Sequence, residues 1–108
     1  MSRSDAATLL AATGYPVVYY EWPDGSTPTF PCIRYVLDST DDFRADNANY
    51  AGFDRWSATL VTEWKDDAAE AKVEETLANA GVTFVKYGDL YVRAERLNHV
   101  EYKFTLPR

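Results

Sequence analysis

The sequence predicts an α+β fold: a mostly antiparallel sheet with two helices on one face, in the order α-β-β-β-α-β-β. Three observations lead there. Residues 55–64 alternate with period two, the signature of a half-buried strand. Residues 67–81 then switch to helical spacing and stop at a glycine. Strand-like runs stand in consecutive groups on both sides of that helix, rather than one strand per helix.

The elements follow in order. Ser2 or Ser4 can cap a short first helix, Ala6, Leu9 and Leu10 give it an apolar side, and Gly14 can end it. Val17 to Trp22 is β-branched and aromatic, hence a strand. Pro23-Asp24-Gly25 is turn chemistry. Pro31 opens the next strand, Cys32 to Leu37, with Ile33, Tyr35 and Leu37 on one face. Asp38 to Asn49 reads as a polar loop, long for a connection between two strands. In the central strand Trp56, Ala58, Leu60, Thr62 and Trp64 share the more apolar parity and are assigned to the core. Asp67 and Glu70 have the spacing of a capping box for the second helix. Ala69, Val73, Leu77 and Ala80 form its inner stripe, with Glu70, Lys72, Glu74 and Glu75 on the wet side. Gly81 takes the left-handed stop. Val82 to Tyr87 and Leu90 to Ala94 read as two strands joined by a Gly88-Asp89 turn. Val100, Tyr102, Phe104 and Leu106 alternate in the last strand, which Pro107 ends.

With 108 residues, one domain over 1–108 is expected, large enough to fold around its own core without a metal or disulfide. Acids outnumber bases 17 to 11, for a net charge of −6. That balance argues against a protein that grips DNA or RNA through phosphates, which needs clustered Lys and Arg. Cys32 is alone, so no intrachain disulfide forms and a cytosolic origin fits. No apolar run is long enough to span a membrane, and Met1 to Thr13 is too polar and short for a signal peptide.

The residues that could carry chemistry are few. His99 falls on the parity of Leu97 and Glu101, away from the apolar face of the last strand. Pairing it with Cys32 as nucleophile and base would need their strands to be neighbours, and no flanking motif supports that. Both are read as structural, and no enzyme activity is expected. Asp38, Asp41, Asp42 and Asp46 lack EF-hand spacing, so they are read as a solvated acidic loop and no metal is assigned. The five glycines are scattered and form no phosphate loop, and no cofactor is expected. The aromatics are assigned to the core and to a subunit interface, because no basic groove accompanies them. Phe43, the one large apolar residue in the long loop, sits beside Arg44 as an interface anchor would.

Several segments together resemble a known pattern. They are Phe43-Arg44-Ala45-Asp46-Asn47, then Tyr50, then Arg55-Trp56 leading a strand. Thr62-Glu63-Trp64-Lys65-Asp66 precedes the second helix, which carries Val73-Glu74, Leu77 and Ala80-Gly81. Leu9-Leu10, Gly14-Tyr15-Pro16-Val17 and Pro31-Cys32-Ile33 also fit. The chain is similar to the tail terminator, or tail completion, proteins in the neck of long-tailed bacteriophages. The resemblance implies a virion structural protein that assembles as a hexameric ring, caps the tail tube and meets the head-tail connector. DNA would pass through the lumen without specific binding, which an acidic chain suits. Its place would be the virion, and the host cytoplasm during assembly. Phe43, Arg44, Asp46 and Tyr50 are the residues expected at the subunit or tail-tube contact. The alternatives are a connector or stopper on the head side of the neck, or an enzyme of unknown substrate.

Overall fold

The chain's architecture, taken from a computed structural model, is described for residues 3–20, 29–41, 44–45, 48–49 and 53–107. The central strand, β5 (Phe53–Thr62), is antiparallel to β2 (Cys32–Asp41) on one side and to β7 (Leu97–Pro107) on the other. The short β1 (Val17–Tyr19) runs parallel to β2 and forms one edge. The other edge is β6 (Phe84–Val92), antiparallel to β7. The sheet order is therefore β1-β2-β5-β7-β6, mixed through its one parallel pair. Helices α1 (Arg3–Ala11) and α2 (Asp67–Asn79) supply the second layer. The predicted α+β class and element order hold.

One parity of the sheet makes the core. Ile33 registers with Leu60 and Leu60 with Val100; Tyr35, Ala58 and Tyr102 form the next row, and Trp56 and Phe104 the row after, where Leu37 opposite Trp56 is 42% exposed and stays outside the core. Against these rows α1 places Ala6 and Leu10, and α2 places Ala69, Val73 and Leu77. A side chain buried this completely contributes about 1.5–3 kcal/mol over an exposed one. Such burial, rather than helix propensity, holds a helix as short as the nine-residue α1. Gly14 (φ 84°) and Gly81 (φ 74°) occupy the left-handed positions that the spacing assigned to helix ends.

The details differ from the expectation in several places, each for a local reason. Strand β5 ends at Thr62, so Trp64 leaves the sheet and is 67% exposed instead of joining the core. The Thr62 hydroxyl bonds to the Trp64 carbonyl and turns the chain there. The cap of α2 is Asp66, whose carboxylate accepts from the Ala69 amide at 3.0 Å, one residue before the expected capping box. Glu70 is not on the wet side: only 4% of its side chain is exposed. The first strand stops at Tyr19, because Tyr20 adopts φ 74° while its amide still bonds to the Tyr35 carbonyl at 2.9 Å. The expected Gly88-Asp89 turn is a bulge. The register steps from Tyr87↔Glu101 to Asp89↔Val100, and residues 84–92 run on as one strand.

The supposed loop after Leu37 is also partly strand. A register shift after Leu37 lets β2 continue to Asp41 opposite Phe53. Beyond it β3 (Arg44–Ala45) pairs with β4 (Ala48–Asn49) as a separate two-stranded ribbon.

Candidate functional site

Two surfaces collect the unusual side chains. The first lies between α2 and the helix-facing side of β6 and β7. Glu70 and Glu74 stand one turn apart on α2, beside the stripe of Val73 and Leu77. The Glu70 carboxylate bridges two lysines: Lys65 Nζ lies 2.7 Å from Oε2, and Lys86 Nζ 2.6 Å from Oε1. Lys65 also meets Asp89 at 2.9 Å. Lys86 reaches Glu74 Oε2 at 3.0 Å, and the Tyr102 hydroxyl donates to the same oxygen at 2.9 Å. Six side chains thus join one turn of helix to two strands.

The electrostatics follow from the contacts. Glu70, then Asp89, raises the Lys65 pKa above its ordinary value. Lys86 is raised in the same sense, chiefly by Glu70. Burial opposes the charge on Glu74, but hydrogen bonds from Lys86 and Tyr102 outweigh it and hold the carboxyl below the usual range. The Lys65 hydrogen bond lowers Asp89 likewise. Burial and the Glu74 carboxylate push the Tyr102 phenol up. Each shift favours the form already present at neutral pH. A poised acid or base would shift toward neutrality, so the arrangement fits a structural clasp better than a catalytic centre.

The second surface is apolar and exposed. Strand β6 presents Val85, Tyr87, Leu90 and Tyr91, all at least 39% exposed. Tyr91 meets the exposed Trp64 edge to face, with ring centroids 5.1 Å apart. Next to it on the open face of the sheet is a hollow of 630 Å³, lined in part by Val85, Tyr87, Lys103 and Asp38. Lys103 and Asp38 pair there at 3.2 Å.

The expected site residues are scattered against this picture. Arg44 lies in β3 opposite Asn49. Phe43, Asp46 and Tyr50 fall outside the described residues. Cys32 is buried on β2, and His99 sits on β7 with Nε2 3.1 Å from Glu95 Oε1. Cys32 registers with Val61, and Val61 with His99, so β5 separates the two. Two strand spacings amount to about 10 Å, too far for a nucleophile and its base. Among the described residues no group of three or more His, Cys, Asp or Glu is arranged to hold a metal ion, and no helix is long and apolar enough to cross a membrane.

Comparisons with known proteins inform only the fold. No family model matches the chain, and no curated protein matches it. A solved structure does. It is a chain from a structure described as the virion of a native gene transfer agent (GTA) particle. The TM-score is 0.55 at 16% identity, over 91% of this chain and 82% of that one. The two chains share an α+β fold.

Proposed function

We propose that this protein is a virion structural protein, the subunit of a ring that caps the tail tube and joins the tail to the head connector. The observation that carries the reading is the fold shared with a virion chain over nearly the whole length of both. The segments around Phe43-Arg44, Trp64-Lys65 and Val73-Glu74 that resemble tail terminators support the finer assignment. The physics is compatible. Ring closure uses heterologous contacts between unlike surfaces of neighbouring copies. A ring that DNA slides through should not hold phosphates, and the charge of −6 meets that condition. The partners are other copies of this chain in a hexamer, the tail tube protein and the head connector protein. A connector or stopper role on the head side is the second reading, because it would draw on the same fold.

The region from Asp38 to Asn49, with Phe43, Arg44 and Asp46, and Tyr50 just beyond it, is the proposed contact arm. Replacing Phe43 and Arg44 together by Ala is expected to leave the subunit's melting temperature nearly unchanged. It should weaken assembly by about 1–4 kcal/mol per interface, the scale of a hot-spot truncation. Sedimentation of wild type and variant at matched concentration checks this. A variant that assembles normally, or that unfolds, places the contact elsewhere.

Turnover chemistry has no part in this function. Cys32→Ser and His99→Ala are expected to support infectious particles in a complementation assay. Loss of particles with fold and assembly intact would give one of them a chemical role.

A further inference from the structure

We infer that the free edge of β6 is a self-recognition surface that pairs, antiparallel and about a two-fold axis, with β6 of a second copy of this chain. The inference is independent of the ring reading and goes beyond it.

The outer edge of the sheet at β6 is unguarded. Strand β6 is nine residues long and seven of them are exposed. Among the described residues its outer side pairs with no strand. Soluble proteins blunt such edges with charge, proline, shortness or cover. Here the strand carries only Lys86 and Asp89 as charges and presents four large exposed apolar side chains. The opposite edge, β1, has three residues and is far too short to cover β6 of a neighbour.

The strand's own order then selects the occupant and the register. Its bulge at Gly88 moves Asp89 onto the helix-facing side with Lys86, while Tyr87 and Leu90 share the open side with Val85. A two-fold perpendicular to the sheet must place some residue opposite its own copy. Centred on Tyr87, the pairing sets Lys86 across from Asp89 of the second copy, Val85 from Leu90, and Phe84 from Tyr91. Every pair shares a face, every apolar group meets an apolar group, and the two charges meet their opposites. Centred one step earlier, Lys86 would face Lys86. One step later, Asp89 would face Asp89. Like charges directly opposite are destabilising, so both neighbouring registers are disfavoured. A shift that mixes the faces would turn the apolar set over. Gly88 lies beside the centre, where an added Cβ would meet nothing within 4 Å. Each strand can therefore carry the bulge it already shows against β7.

Such a pair is closed and isologous, and it turns one copy end for end relative to the other. It cannot propagate around a ring whose two rims differ. The pair is thus a form of the chain distinct from any such ring, with its adhesive edge covered.

The test measures self-association by analytical ultracentrifugation, with circular dichroism confirming the fold of each variant. Wild type is expected to dimerise. Tyr87→Lys, at an exposed position, should weaken the dimer about tenfold or more by setting two ammonium groups face to face. Tyr87→Cys should form an intermolecular disulfide on mild oxidation. Val85→Cys alone should not, whereas Val85→Cys combined with Leu90→Cys should. Cys32 is buried and contributes no background link. A wild-type chain still monomeric at about 1 mM would overturn the inference. So would an oligomer that Tyr87→Lys leaves unchanged, or one in which Val85→Cys links as readily as Tyr87→Cys. None of these results bears on whether the chain occupies a virion neck, which the complementation and tube-binding experiments address.

Discussion

Leu77→Ala is expected to destabilise the protein by about 2–5 kcal/mol, and Leu60→Ala by a similar amount. Leu77 is fully buried and Leu60 is 1% exposed. They meet the core from opposite layers, one from α2 and one from the middle of the central strand. Truncating either removes three carbons, Cγ and the two Cδ methyls, from a close-packed interior and leaves a cavity that its neighbours fill only partly. The larger Trp64 is the contrasting case. Its side chain packs on Tyr91 at the surface, so Trp64→Ala should shift stability by only about 0.5 kcal/mol. Urea denaturation reads all three from the midpoint, provided the slope is unchanged. A loss below about 0.5 kcal/mol at Leu77 or Leu60 would contradict the two-layer core.

The second large effect is expected at Glu70. Its carboxylate is 4% exposed and, among the described residues, is the one group that touches both Lys65 and Lys86. Glu70→Ala breaks the clasp at its centre and should cost about 1–3 kcal/mol. The cost stays below that of a fully buried pair broken on one side. Both lysines are more than a third exposed, and they keep Asp89 and Glu74 as partners.

The same clasp sets the pH dependence. Glu74 and Asp89 have folded values below their ordinary 4.5 and 3.8. Their contribution is present above the ordinary values and is lost as pH falls through the depressed ones. Lys65 and Lys86 are raised above 10.5, so their contribution is present below that value and is lost only as pH rises through the raised ones. Stability attributable to the clasp should therefore be flat across neutral pH and fall on the acid side below about pH 4.5. Glu74→Gln should shrink that acid limb. An unchanged limb would mean that other carboxylates govern acid unfolding.

The parts of the fold written as periodicity were legible in the sequence. The alternation of Trp56, Ala58 and Leu60 and the spacing of Ala69, Val73 and Leu77 located the core. Gly14 and Gly81 marked helix ends because few other residues tolerate their φ. What escaped was information that lives between elements. Glu70 reads as a surface acid until β6 brings Lys86 beside it; the available signal was Glu70 and Glu74, one turn apart, flanking the apolar stripe. Trp64 continued the alternation by residue type, yet the turn needed to reach the Asp66 cap ended the strand at Thr62. Gly88-Asp89 has turn chemistry, but a continuous partner in β7 converts it to a bulge. Of the expected contact residues, Arg44 is placed in a ribbon outside the main sheet, and Phe43, Asp46 and Tyr50 lie outside the described residues.

The central claim, a ring subunit at the end of a tail, is tested most directly by mixing the purified chain with purified tail tubes and determining its mass and position on them. The account predicts a closed hexamer seated at one end of each tube, drawn from the free pool until the ends are filled. A chain that leaves the tube ends bare, or that coats the tube along its length, would contradict it.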